Sequence, residues 1–213
     1  MAGSPGGTAS PERRLRRRAA GFMLGSACFF LGALPAYASW VGPVGANATF
    51  ALGSVLFLVS GAVQLGSLGW RPPDHDAPSS ARIGWWSVAV RLGGTLLFGV
   101  STLRALGAAL ASTDTDEAGW VPDVWGSAAF LVSGVLAVVA AASVERGARS
   151  TARWTAWLAV LGSAAFVVSA AGAYVPAYDD DPVSPLARNL GTMVGALCFF
   201  AASALDWRGS NHR

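Results

Sequence analysis

The chain has 213 residues, 53% of them hydrophobic and 13% charged, with a mean hydropathy of +0.47 and a formal net charge of +3. A water-soluble domain carries about 25% charged residues, so this composition excludes an ordinary soluble globular protein. All fifteen basic residues are Arg, and they are spread over short segments rather than one face, which excludes a nucleic-acid-binding patch despite a pI near 9.4.

The chain begins with an Arg-rich leader, residues 1–18, in which Arg13, Arg14, Arg16, Arg17 and Arg18 crowd together. Such a cluster is expected to lie on the cytoplasmic side and to attract anionic lipids. Residues 19–70 then contain no charge at all, a run far longer than the ~20 residues one helix needs to cross a bilayer. It therefore holds two spans, expected at 19–39 and 48–68, with the break between Trp40 and Asn47, where Gly42, Pro43 and Gly45 favour a tight connection. After a polar stretch, apolar runs recur at 83–111, 121–144, 154–175 and 186–205. The expected fold is all-α: a polytopic membrane bundle of six transmembrane helices arranged as hairpins at 19–70, 83–144 and 154–207, with a cytoplasmic tail at 208–213. No loop is long enough to hold a soluble domain.

Arg placement orients the bundle. The leader, Arg71, Arg82, Arg146, Arg149, Arg153, Arg208 and Arg213 share one side, whereas the opposite loops hold Arg188 among Asp114, Asp116, Glu117, Asp123, Asp179, Asp180 and Asp181. By the positive-inside rule both termini are cytoplasmic, and the absence of Lys with abundant Ala and Gly suggests a high-GC bacterial host and its inner membrane. All nine Trp fall near expected span ends, where an indole keeps its N–H wet. The first span imitates a signal peptide, with Arg13-Arg14 ahead of the apolar run and Ala36-Tyr37-Ala38 after it. It is expected to stay uncleaved, because it shares the motif described next.

Each apolar run contains Gly, a small residue, two further positions and then Phe: Gly25…Phe29, Gly53…Phe57, Gly94…Phe98, Gly126…Phe130, Gly162…Phe166 and Gly195…Phe199. Runs two and four extend the match, Gly-Ser-Val-Leu-Phe-Leu-Val-Ser-Gly at 53–61 against Gly-Ser-Ala-Ala-Phe-Leu-Val-Ser-Gly at 126–134. The bundle thus reads as three repeated helical hairpins, each entering from the cytoplasm and returning. Gly at i and Phe at i+4 share a helix face. In lipid, where no hydrophobic force drives helices together, a Gly notch beside a Phe knob serves packing. All twelve residues are accordingly assigned to helix packing. Gly21…Gly25 and Gly191…Gly195 add GxxxG spacings, suited to ring closure or to a homo-oligomer. Paired short spans with Gly-Ser-x-x-Phe cores, as in Asn47…Phe50…Gly53-Ser54-Val55-Leu56-Phe57-Leu58, resemble the YrhK-like family of bacterial membrane proteins. The resemblance implies three tandem copies of that family's hairpin, and it carries over no assigned activity and no catalytic residue.

Residues able to carry chemistry are few. His75 and His212 lie in hydrophilic segments, so no span offers the paired His of a membrane haem. Asp74-His75-Asp76 is more simply a solvated turn than a metal site. No carboxylate sits mid-span, Asp206 lies at an inner end beside Arg208, and no catalytic set or nucleotide loop is visible. No cofactor and no metal are expected. Arg91 and Arg104 do enter the third span, about 20 Å apart along the helix. Each is expected to snorkel to its nearer interface, against a competing arrangement in which they line a polar cavity with Gln64. Cys28 and Cys198 precede Phe in matching repeat positions and are expected to pack rather than to pair. The sequence thus implies a non-enzymatic integral membrane protein of scaffold or envelope type. The alternative is a subunit of a small-solute or ion transporter or channel.

Overall fold

The computed structural model describes residues 11–112, 116–143, 149–176 and 181–209. Among these it contains six α-helices and no strand: α1 Pro11–Ala33, α2 Pro35–Leu68, α3 Ser79–Leu110, α4 Asp116–Ala142, α5 Arg149–Gly172 and α6 Pro185–Gly209. Each helix packs on its neighbours in sequence, and α6 returns to α1, so the six close into a ring.

The ring is a membrane bundle. Its outward faces carry bare aliphatic side chains, with Leu24 58% and Leu161 57% exposed, while its contacts are made by small and hydroxylated residues such as Ser163, at 0%. That inverts a soluble protein and matches helices solvated by lipid. Helices α2 to α6 are each long and apolar enough to cross a membrane. The first helix differs from expectation. Residues 11–18, assigned to the leader, already form its opening turns, and its charge-free part, residues 19–33, covers only about 22 Å at 1.5 Å per residue. The cluster of Arg is thus part of the helix that closes the ring, while residues 1–10 and 210–213 lie outside the described residues.

The connection within the first hairpin is also displaced. The chain turns at Leu34, whose extended backbone (φ −78°, ψ 115°) is imposed by Pro35, since a residue before proline is driven out of the α region. The interruption expected between Trp40 and Asn47 survives as a kink within α2 at Gly42, where φ 72° and ψ 175° precede Pro43. A left-handed φ there favours glycine. Residues 35–41 thereby form a short helical arm, pinned by Tyr37 Oη and Thr49 Oγ1 at 2.8 Å. Its Trp40 is 82% exposed.

Two tryptophans depart from the anchoring role expected of all nine. Trp85 is buried and donates from Nε1 to the carbonyl of Gly69 at 2.9 Å, tying the start of α3 to the end of α2. Trp120 donates to the carbonyl of Ala170 at 2.8 Å, joining α4 to α5. Both indoles span seams between successive hairpins.

Candidate functional site

Within each hairpin the two motif glycines face each other. A Cβ on Gly53 would lie 3.1 Å from the carbonyl oxygen of Gly25; on Gly126, 3.2 Å from that of Gly94; on Gly195, 2.9 Å from that of Gly162. Each also meets the partner helix's Phe: Gly53 meets Phe29, Gly126 meets Phe98, and Gly195 meets Phe166. The converse contacts place Gly25 against Phe57, Gly94 against Phe130 and Gly162 against Phe199. In α2 and α4 the serine after the glycine serves the seam to the next hairpin, whereas Thr95 and Ser163 bond back to their own helices, to the carbonyls of Arg91 and Ala159. Ser54 accepts from Thr102 of α3 at 3.1 Å, and Ser127 donates to the carbonyl of Phe166 at 3.4 Å.

Because Gly and Phe are a helical turn apart and alternate helices run in opposite directions, the six rings fall into two layers. Phe29, Phe98 and Phe166 form one triangle, with centroids 5.6–6.2 Å apart. Phe57, Phe130 and Phe199 form a second, at 5.5–6.5 Å. The layers join through Phe29–Phe57, Phe98–Phe130 and Phe166–Phe199 at 5.2–5.7 Å. This trigonal prism, largely of edge-to-face pairs, plugs the middle of the ring.

On one side of the plug, at the end where α1 begins and α6 ends, lies an ionic cluster. Arg18 Nη2 is 3.0 Å from Asp206 Oδ2, clasping the first helix to the last, and Thr155 Oγ1 donates to Asp206 Oδ1 at 3.4 Å. Asp206 thus pairs with Arg18, in α1, rather than standing beside Arg208. Arg91 does not snorkel. It turns inward, donates from Nη2 to Gln64 Oε1 at 2.7 Å, and lies 5.6 Å from the Phe22 ring, which itself packs on Phe57. The competing trio of Arg91, Arg104 and Gln64 does not assemble either, because Arg104 is exposed while its neighbours Ser101, Thr102 and Ala105 face the interior. Arg91 and Arg104 are thirteen positions apart, which at 100° per residue places them on different faces.

This cluster sets two guanidiniums beside one carboxylate, and the Nε atoms of Arg18 and Arg91 are buried without a hydrogen-bond partner. Asp206→Asn is therefore expected to lower stability by about 1–3 kcal/mol, the cost of stranding a charged group. The lower part of that range applies, since the Arg18 and Asp206 side chains are 16% and 34% exposed. Melting in detergent measures it, and an Asp206→Asn protein that melts with the parent would show that Asp206 is not the needed counter-charge.

On the other side of the plug a cavity of about 480 Å³ reaches to the far ends of the helices. All six contribute to its wall. Its floor is the Phe29, Phe98 and Phe166 triangle, and its polar lining comes from Asn47, Ser101, Thr102, Asp123, Ser169, Arg188, Asn189 and Thr192. Ser169 donates to the carbonyl of Arg188 at 2.7 Å and shares a 2.7 Å hydrogen bond with Thr192. Asp123 is a correction to the sequence-based expectation, which left it in a loop; it sits inside α4, on the cavity wall. It makes no hydrogen bond or ion pair with any described residue.

The remaining candidates lie elsewhere. Asp74, His75 and Asp76 are exposed, and among the described residues no group of three metal-ligating side chains converges. Cys28 Cβ packs against Gly53 and Cys198 Cβ against Gly162, in different hairpins.

No family model, curated protein or solved structure matches the chain. The resemblance to YrhK-like hairpins rests on the Gly-Ser-x-x-Phe cores alone.

Proposed function

We propose that this is a non-enzymatic integral membrane protein whose ring forms a solute-binding half-channel, open at the far end and shut at mid-depth by six phenylalanines. Of the scaffold and transport readings, the second gains from one observation: a cavity of about 480 Å³ with a mixed polar and aromatic wall drawn from every helix. A volume of this size suits a small ligand, and pure scaffolding gives no reason for polar groups to line a void at membrane depth. Kinship with YrhK-like hairpins and association with anionic lipid through the Arg-rich start of α1 belong to the same proposal; the GxxxG faces do not offer a surface to a second copy, because Gly21 and Gly25 pack on Ser60 and Phe57 of α2, and Gly191 and Gly195 on Ser169 and Phe166 of α5.

The ring is placed in a bacterial inner membrane with the ionic cluster toward the cytoplasm and the cavity toward the outside, on the strength of the Arg asymmetry. Reporters fused after Asp116 and Asp180 are expected to read outside, and one fused after Asp76 inside. A cytoplasmic signal at Asp180 would remove the six-helix topology.

The cavity is tested by thiol accessibility. A membrane-impermeant maleimide is expected to modify Thr192→Cys at the cavity wall. The native Cys28 and Cys198, which pack at helix contacts outside the cavity lining, are expected to stay unmodified. An unreactive Thr192→Cys protein would mean that the cavity is closed to solutes, and the half-channel proposal would fall.

A further inference from the structure

We infer that the cavity selects a small organic cation, an ammonium compound held by the carboxylate of Asp123 against aromatic walls; the inference rests on the half-channel reading and specifies its ligand. Among the described residues the lining carries two ionisable side chains, Asp123 and Arg188. They are not equivalent. Arg188 already has an interaction partner, whereas Asp123 pairs with no described residue. A carboxylate turned into a cavity within a membrane span is costly without a compensating positive charge, and the described residues do not supply one.

The surroundings of Asp123 suit such a cation. Trp120 lies one turn away on the same helix and lines the same cavity, with Phe50 on α2 and the Phe29, Phe98 and Phe166 floor completing an aromatic enclosure. The Trp120 indole is held in place by its hydrogen bond to Ala170 and by its contact with Tyr174, centroids 4.9 Å apart. Aromatic faces attract ammonium groups, and do so more strongly where water is scarce. The hydroxyls of Ser169 and Thr192 are occupied with each other and with the Arg188 carbonyl, and Thr102 donates to Ser54. They offer little to a hydrogen-bonding anion, which would also face Asp123.

The test uses the full chain in detergent micelles, with choline and tetraethylammonium as cationic probes and 3,3-dimethylbutan-1-ol as the uncharged isostere of choline. Calorimetry is expected to show the cations binding wild-type protein about tenfold or more tighter than the isostere, and Asp123→Asn losing about tenfold for the cations while leaving the isostere unchanged. Asp123→Asn keeps the shape of the side chain and breaks no contact among the described residues, so its melting temperature is expected to match the parent. Equal binding of cation and isostere, unaltered by Asp123→Asn, would overturn the cation specificity while leaving a binding cavity. Binding of neither class, together with an unreactive Thr192→Cys, would overturn the half-channel as well.

Discussion

Gly126→Leu and Gly195→Leu are expected to melt well below the parent protein in detergent, whereas Gly93→Leu melts with it. A Cβ at Gly195 meets the carbonyl oxygen of Gly162 and the ring of Phe166, both at 2.9 Å, and one at Gly126 meets Phe98 at 2.7 Å. A backbone carbonyl cannot swing aside as a side chain does, so the helices must separate. Separation by even a fraction of an ångström opens both layers of the Phe prism, because each glycine abuts a ring of the opposite layer. By analogy with overpacked soluble cores the cost is about 1–3 kcal/mol per site. Gly93 has nothing within 4 Å of its Cβ position and is exposed, although it adjoins the motif Gly94. It therefore reports what Leu does to the helix alone, and the gain in helix propensity over Gly, up to about 1 kcal/mol, works in favour of stability. Identical melting of all three variants would mean that the Gly and Phe recurrence is compositional and not a packing device.

Opening the plug is the second large effect. Phe98 touches Phe29, Phe130 and Phe166, with centroids at 6.0, 5.2 and 5.6 Å, and Phe130 continues the contact to Phe57 and Phe199. Replacing Phe98 and Phe130 together by Ala removes one edge of the prism from top to bottom. It joins the cavity to the region of Phe22, Arg91 and Gln64. In a soluble core each Phe→Ala change costs about 3–5 kcal/mol; in lipid the transfer contribution largely falls away while the cavity contribution remains, so the lower end is expected. Proteoliposomes of the double variant are expected to pass small ions that the parent excludes, while Phe98→Leu with Phe130→Leu stays closed. If the Ala variant folds and remains as tight as the parent, the prism is not the barrier.

Much of the architecture can be read from residues alone, and the reasons are local. Span number and approximate position follow from charge-free length, because a lipid-facing backbone must satisfy its own hydrogen bonds within a helix. The recurrence of Gly and Phe four residues apart identifies the inward face of every helix. Extended by a turn toward the far end, the same face reaches the cavity: Asp123 lies three residues before Gly126, Arg188 and Thr192 precede Gly195 by seven and three, and Ser101 and Ser169 follow Phe98 and Phe166 by three. The periodicity runs on through Trp120 and Pro122 because α4 begins at Asp116, more than a turn ahead of the apolar run at 121–144, and so carries Asp123 on the inward face.

Other features depend on which helices meet. That Arg91 finds Gln64, and Arg18 finds Asp206, is set by the adjacency of α2 to α3 and by the return of α6 to α1. For an isolated helix, snorkelling to the interface is the cheapest fate of an intramembrane Arg; a neighbouring amide, within 2.7 Å here, makes the inward rotamer preferable. The stacking of two Phe triangles likewise requires three hairpins closed around one axis, since any single hairpin contributes only one ring to each layer. Sequence by itself determined helices, their number and the face each turns inward, because these follow from chain periodicity and lipid. Tertiary structure decided the plug, the cavity beyond it and the pairing of the buried charges, because each is assembled from side chains on helices that meet only when the ring closes.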